Sequence, residues 1–160
     1  MKNEKRYIFL DLDSVMITER KFDSEIQSTY MADPFDPLCV VVLNEVLEIS
    51  NAFIVLTSDR RMRLKLKEMN EVFKCNGVVS PVKDYTPDFW GTAFTKLQDA
   101  DVCRGFEILR YVHQYQIENY VVVDDMNLSG WVSDHFVWVT NSTDGLNQIG
   151  VKEKMLKILM

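Results

Sequence analysis

The sequence predicts an α/β domain whose central sheet has five strands and is mainly parallel. Short apolar runs typical of buried strands alternate along the chain with segments of helical periodicity. The chain has 160 residues, enough for one hydrophobic core but not for a second domain of ordinary size. Its residues are 47% hydrophobic and 26% charged, a composition typical of folded globular proteins. We therefore expect residues 1–160 to form a single domain.

The first half of the chain is expected to supply two strands and two helices. The first strand is predicted over Tyr7 to Leu12, with two aspartates at its end, and an irregular acidic stretch follows from Ser14 to Pro37. A helix is predicted over Leu38 to Ser50, because apolar residues recur there at helical spacing. The run AFIVLTS (52–58) is typical of a second strand, and the basic segment 59–73 is typical of a second helix.

The second half of the chain is expected to supply three strands and two helices. A short strand is predicted over Gly77 to Ser80, followed by a loop from Pro81 to Asp101. Residues 105–115 have the pattern of an amphipathic helix. Its predicted apolar side carries Phe106, Leu109, Val112 and His113. The remaining elements are predicted as strands at 119–125 and 135–140 and a closing helix from Val151 to Leu159.

Polar side chains follow three of the five predicted strands. They are Asp11 and Asp13 after the first strand, Thr57 and Ser58 after the second, and Asp124 and Asp125 after the fourth. The carboxyl ends of parallel strands meet at one edge of a sheet, where open α/β folds bind their ligands. Clustered carboxylates repel one another unless a cation neutralises them, and Mg²⁺ prefers carboxylate oxygens. The four aspartates therefore predict a magnesium site at this edge.

An alternative exists for each of these residues taken singly. An aspartate after a strand often serves as a turn residue or a helix N-cap, and Asp125 fits that description. The joint occurrence of polar pairs after three strands is harder to explain by turn chemistry. The pattern as a whole therefore favours a functional site.

Four segments of the chain, in order, resemble the motifs of the haloacid dehalogenase-like (HAD) phosphatases. FLDLDSV resembles their DxDx(V/T) motif, IVLTS their second motif, and VVVDD their acidic fourth motif, while Arg104 stands where the third motif has Lys or Arg. The runs IVLTSDRR, YTPDF, RGFEILRYV and TDGLN resemble small uncapped members found in multi-domain RNA-repair proteins. There the second motif ends in Trp-Arg. Arg61 matches that arginine, Arg60 replaces the tryptophan, and Ser14 replaces a usual glycine.

The resemblance implies a three-layer Rossmann-like sandwich without a large cap domain, and a Mg²⁺-dependent phosphohydrolase mechanism. Asp11 would attack phosphorus to form an aspartyl-phosphate. Asp13 would act as general acid and base, and its main-chain carbonyl would also bind the metal. Thr57 would bind the phosphoryl oxygens, and Arg104 would balance negative charge.

The resemblance also gives the two remaining acidic residues a role in metal binding. Asp124 would hold Mg²⁺ directly, and Asp125 would act through water or by orienting it. An alternative is a non-enzymatic module that uses the acidic pocket to bind a metal or a phosphorylated partner.

The predicted site is open, because neither Ser14 to Pro37 nor Arg104 to Tyr120 has room for a folded cap. An open site favours a macromolecular substrate, such as an RNA phosphate end or another macromolecular phosphate. Arg60 to Lys67 form a basic run that would steer a polyanion or simply face solvent. Arg61, in this run, and Ser58, just before it, are the predicted substrate-binding residues. Aromatic residues of the following loop would stack on a base or, more often, pack the loop: Tyr85, Phe89 and Trp90.

Overall charge and composition limit the remaining function classes. A net charge of −6 and a pI of about 4.9 argue against a broad basic face for nucleic acid. The three cysteines lack metal-ligand spacing, and no signal peptide or bilayer-length apolar run is visible. We expect a cytoplasmic protein without membrane association.

Overall fold

The computed structural model describes residues 4–24, 33–89 and 99–160. These residues form one parallel sheet of five strands in the order β3-β2-β1-β4-β5. The strands are β1 (Arg6–Leu10), β2 (Phe53–Leu56), β3 (Val82–Tyr85), β4 (Asn119–Asp124) and β5 (Phe136–Trp138). The helices are α1 (Pro37–Ser50), α2 (Leu66–Cys75), α3 (Ala100–Tyr115), α4 (Ser129–Val132) and α5 (Val151–Leu159). Short 3₁₀ turns occur at Asp59–Met62, Ser133–His135 and Gly145–Asn147.

Helices cover both faces of the sheet, which gives the three layers of a Rossmann-like sandwich and confirms the predicted fold class. Side chains alternate between the two faces along each strand. Ile8 and Leu10 of β1 join a core formed with α1, α2 and α5. Tyr7 and Phe9 of the same strand join a second core formed with α3 and α4. Because both faces of the sheet are buried, the three central strands β2, β1 and β4 are mostly apolar runs, which is why the sequence revealed them. Among the described residues, no helix has the length and apolar character needed to cross a membrane.

The side chain of Asp36 determines where helix α1 begins. Asp36 is the N-cap, its carboxylate accepting a hydrogen bond from the Leu38 amide at 2.9 Å, and Pro37 fits the first helical position. The same carboxylate accepts hydrogen bonds from Thr18 Oγ1 and from the Arg20 guanidinium. Burial alone would raise the pKa of Asp36, but these hydrogen bonds outweigh burial and lower it. The carboxylate therefore ties the loop after β1 to the start of α1.

Two predictions about the middle of the chain were wrong. The strand expected over Gly77 to Ser80 lies instead at β3, because Gly77, with φ of +82°, forms the turn that ends α2. Strand β3 is at the sheet edge and carries the polar Lys83 and Asp84, so it lacks an apolar pattern. The single helix expected over 59–73 is divided into the 3₁₀ turn Asp59–Met62 and α2.

The buried face of α3 also differs from the prediction. The helix starts at Ala100 and buries Cys103, Arg104, Gly105, Glu107, Ile108 and Tyr111. Phe106 and His113, which were expected on the apolar side, are exposed, while Leu109 and Val112 are only partly buried. The reason is that two charged residues, Arg104 and Glu107, occupy the buried face, so hydrophobic periodicity alone points to the wrong side.

The aromatic residues before α3 favour the packing alternative where they are described. Tyr85 Oη donates a hydrogen bond to the Leu64 carbonyl at 3.1 Å. The Phe89 ring lies against Phe106 with ring centroids 5.2 Å apart. Trp90, the third aromatic residue of the predicted loop, lies outside the described residues.

Candidate active site

Three aspartates converge where β1 and β4 end side by side. Asp11 follows β1, and its amide continues the pairing by donating to the Val123 carbonyl at 3.1 Å. Asp124 is the last residue of β4, and Asp125 follows it. One carboxylate oxygen from each of the three aspartates lies within 4.8 Å of the others. The first two side chains are buried and Asp125 is exposed, so the cluster opens to solvent on one side.

Burial and the negative charge of neighbouring aspartates disfavour the charged forms of Asp11 and Asp124. The pKa of Asp11 is raised well above its usual range, first by burial and then by the negative charge of Asp124, with Arg104 opposing both. Burial likewise raises the pKa of Asp124 to about 6, against the opposing charge of Arg104. A bound cation would offset the repulsion between these carboxylates, and carboxylate oxygens are the ligands that Mg²⁺ prefers. The donor set therefore fits a magnesium ion.

Arg104 supplies the positive charge beside these aspartates. Its Nη1 lies 2.7 Å from Asp124 Oδ2 and 3.2 Å from Asp11 Oδ1. Its Nη2 lies 3.2 Å from Asp59 Oδ1. Burial would lower the pKa of Arg104, but the three carboxylates outweigh burial and raise it. Asp59 was missed at the sequence level, although it directly follows the predicted Thr57–Ser58 pair.

Asp13, the fourth predicted aspartate, does not join the carboxylate cluster. Its exposed carboxylate is held by Arg60, whose Nη2 lies 2.7 Å and whose Nε lies 3.0 Å from Asp13 Oδ1. The same Nη2 lies 2.9 Å from Asp33 Oδ2. Beyond Asp13, Ser14 adopts a left-handed backbone with φ of +62°, a conformation that glycine adopts without strain. The contact with Arg60 also gives a role to the residue that replaces the expected tryptophan.

Thr57 and Ser58 lie at the end of β2, next to the end of β1. The Thr57 amide donates to the Leu10 carbonyl at 2.9 Å, which continues the pairing of these two strands. Thr57 is buried, yet within the described part of the chain its Oγ1 has no hydrogen-bond partner. An unpaired buried hydroxyl costs roughly 1–3 kcal/mol, so a ligand oxygen that pairs with it would recover that energy. Ser58 is also buried, and its Oγ accepts from the Arg60 amide at 3.4 Å, which caps the 3₁₀ turn.

Arg61 is buried rather than presented to the open surface. All five of its N–H groups have acceptors. Four main-chain carbonyls take part, those of Thr57, Ser58, Thr86 and Pro87. The remaining N–H, on Nη2, donates to Glu107 Oε2 at 2.8 Å, and Asp59 Oδ1 lies 3.5 Å from Nη1. A direct contact with substrate would therefore have to replace an existing hydrogen bond.

Glu107 is a charged residue that sequence reasoning missed. Its Oε1 accepts from the Phe89 amide at 3.1 Å, while Oε2 accepts from Arg61. Burial raises the pKa of Glu107, and the Arg61 charge opposes that increase. Its position three residues after Arg104 places both on one helix face, and this spacing was the available signal. The pair Arg61–Glu107 connects the loop after β2 to α3.

One of three comparisons with known proteins found a match. The model of one protein family, described as the HAD domain in Swiss Army Knife RNA repair proteins, matches residues 7–151. No curated protein and no solved structure matches the chain. The family match covers β1 from Tyr7 onward, the four other strands completely, and each of the residues placed above in the candidate site.

Proposed function

The chain belongs to the family of HAD domains in Swiss Army Knife RNA repair proteins, and on that premise we propose that it is a Mg²⁺-dependent phosphohydrolase. Its proposed substrate is a phosphate end of RNA, and its proposed intermediate is an aspartyl-phosphate. One observation carries the proposal: Asp11 is buried in an ion pair with Arg104, within a carboxylate cluster that includes Asp124 and Asp125. The unpaired Thr57 hydroxyl adds a polar group suited to a phosphoryl oxygen.

In the proposed reaction, an Asp11 carboxylate oxygen attacks phosphorus, and the bond from phosphorus to the leaving oxygen breaks. Arg104 and the Thr57 hydroxyl stabilise the negative charge on the phosphoryl oxygens. Asp13 exchanges its contact with Arg60 for the substrate and donates a proton to the leaving oxygen. Asp13 then takes a proton from the water that attacks the aspartyl-phosphate, which releases inorganic phosphate and restores Asp11.

The residues that would hold Mg²⁺ are Asp11, Asp124 and Asp125, together with the main-chain carbonyl of Asp13. When bound, the ion supplies positive charge that neutralises the carboxylates and polarises the phosphoryl group. Ser58 and Arg61 act on the substrate indirectly in this proposal. They hold the backbone around Thr57, through the Ser58 cap and the Arg61 hydrogen bonds to the Thr57 and Ser58 carbonyls.

The proposal is tested by replacing Asp11 with asparagine, which keeps the size of the side chain and removes the nucleophile. Hydrolysis of an RNA with a terminal phosphate is measured with and without Mg²⁺. We expect a loss on the order of a thousand-fold or more. Asp23→Asn, at an exposed aspartate, is the matched control and should keep wild-type activity. Acid-quenched wild-type enzyme should carry a phosphoryl group on the peptide that contains Asp11, as measured by mass spectrometry.

Two results would contradict this proposal in different ways. Full activity of Asp11→Asn would exclude Asp11 as the nucleophile. Magnesium binding by the wild-type protein without turnover of RNA ends, nucleotides, phosphopeptides or sugar phosphates would instead support the non-enzymatic alternative.

A further inference from the structure

We propose that Trp138 is a substrate-binding residue that stacks on a nucleobase next to the phosphate end, so that the substrate is a single-stranded nucleic-acid end rather than a phosphopeptide. This inference rests on the proposed phosphohydrolase function. It comes from the position, the anchoring and the exposure of the Trp138 side chain, none of which the carboxylate chemistry requires.

Trp138 lies one strand away from the carboxylate cluster. It is the last residue of β5 and pairs in register with Asp124, the last residue of β4. Neighbouring strands are about 4.8 Å apart, so the two backbones are adjacent. The pairing continues past this point, because the Val139 amide donates to the Asp124 carbonyl at 3.0 Å. The backbone of Trp138 is thus held on both sides of the residue.

The Trp138 side chain lies on the face of the sheet that is covered by α3, the helix of Arg104. Val137 and Val139 are in the core formed with α1 and α5, while Phe136 packs on the opposite core. Because side chains alternate along a strand, Trp138 shares the face of Phe136. That is the face covered by α3, the helix that bears Arg104.

A hydrogen bond holds the indole ring beside the cluster. Trp138 Nε1 donates to the main-chain carbonyl of Asp125 at 2.9 Å. The Asp125 carboxylate, on the same residue, is one of the three that converge. Even with this anchor, Trp138 is 45% exposed. The ring is therefore oriented by its polar end and leaves apolar surface open to a ligand.

An oriented, open indole beside a phosphate site matches the chemistry of a nucleotide. Every base has an aromatic face, and stacking of a base on an aromatic side chain contributes to single-strand binding without sequence preference. A phosphoserine in a peptide has no such face next to its phosphate. The arrangement also needs no broad basic surface, which agrees with the net charge of −6.

The test compares a single-stranded RNA that has a terminal phosphate with the same RNA lacking its terminal base. For each protein, kcat/KM is measured on both RNAs. The value for the RNA with its terminal base, divided by the value for the RNA without it, measures how much the base contributes. We expect Trp138→Ala to lower this ratio by about 5- to 150-fold, mostly through KM. Trp138→Phe should keep most of the ratio. Tyr115→Ala, at an exposed aromatic residue near the other end of the sheet, is the control and should match wild type.

The ratio separates stacking from a structural effect. A shift of Asp125 caused by the lost hydrogen bond would slow both RNAs equally and leave the ratio at its wild-type value. Such an unchanged ratio in Trp138→Ala would overturn the inference, as would a preference of the wild-type enzyme for a phosphopeptide over both RNAs.

A binding measurement decides the inference even if the wild-type protein hydrolyses nothing. Binding of fluorescently labelled single-stranded RNA is followed by anisotropy with wild type and Trp138→Ala. A Kd that rises about 5-fold or more in the variant supports stacking, and equal Kd values refute it. A failure of hydrolysis alone would reject the proposed function and not this contact.

Discussion

Replacing Glu107 with alanine is expected to destabilise the protein strongly, because it leaves the buried guanidinium of Arg61 without its carboxylate partner. The two side chains are almost completely buried, and Arg61 Nη2 lies 2.8 Å from Glu107 Oε2. A buried charge that loses its partner keeps its desolvation penalty without compensation. The Phe89 amide also loses its acceptor, Glu107 Oε1.

The expected magnitude follows from the contacts that remain. Removal of one partner of a buried ion pair costs about 3–5 kcal/mol. Arg61 would keep its four main-chain carbonyls, and Asp59 Oδ1 lies 3.5 Å from its Nη1. These contacts favour the lower end, about 3 kcal/mol. With an m-value of about 2 kcal/mol/M in urea, the unfolding midpoint should fall by about 1.5 M.

Urea unfolding followed by circular dichroism measures this shift. The matched control is the ion pair Lys152–Glu45, which has the same distance of 2.8 Å but whose side chains are 38% and 45% exposed. Glu45→Ala should change the midpoint far less than Glu107→Ala, because water screens an exposed pair. Glu107→Gln should fall between the two, since it keeps the volume and one acceptor but places an amide N–H beside existing donors.

One result would refute this reasoning. If Glu107→Ala and Glu45→Ala lowered the urea midpoint equally, burial would not determine the energy of the Arg61–Glu107 pair. The structural connection between the loop after β2 and α3 would then need another explanation.

Three further predictions concern packing, pH and backbone conformation. Gly105→Ala should cost about 1–3 kcal/mol, because the new Cβ would lie 2.4 Å from Trp131 Cγ. Gly130→Ala, with no atom within 4 Å of the added carbon, is the control, and equal urea midpoints would contradict the argument. Because the pKa of Asp36 is lowered in the folded state, its carboxylate adds stability above the unfolded pKa of about 3.9, and this stability is lost as pH falls through the folded pKa. Asp36→Asn should therefore lower the urea midpoint at pH 7 and progressively less below about pH 3.9; a pH-independent difference would exclude this linkage. Ser14→Val should cost about 1–2 kcal/mol at its φ of +62°, whereas Ser14→Gly should be tolerated, and a valine variant as stable as wild type would argue against the left-handed conformation.

Much of the fold was predictable because it is encoded in local patterns. Four of the five strands and helices α1 and α5 were predicted close to their observed positions, since buried parallel strands and amphipathic helices have distinct apolar periods. Strand β3 was misplaced because an edge strand with polar side chains has no such pattern. The face of α3 was misassigned because Arg104 and Glu107 are buried in ion pairs.

The sequence by itself determined which polar side chains stand at the ends of the strands. Asp11, Asp124 and Asp125 were predicted to lie together, and parallel strand topology alone brings them to one edge. Strand ends are local features of the chain, and a parallel sheet places all of them on the same side.

Only the tertiary structure decided which charged side chains form ion pairs and which side chains lie beside the carboxylate cluster. Arg61 and Glu107 are 46 positions apart, and the sequence pattern contains no signal that they meet. The same is true of Arg60 with Asp13, and of Trp138 beside Asp124. Such contacts depend on strand register, on helix rotation and on distances between remote segments, none of which a local period specifies. The sequence thus identifies the chemistry at the sheet edge, while packing decides how each side chain takes part.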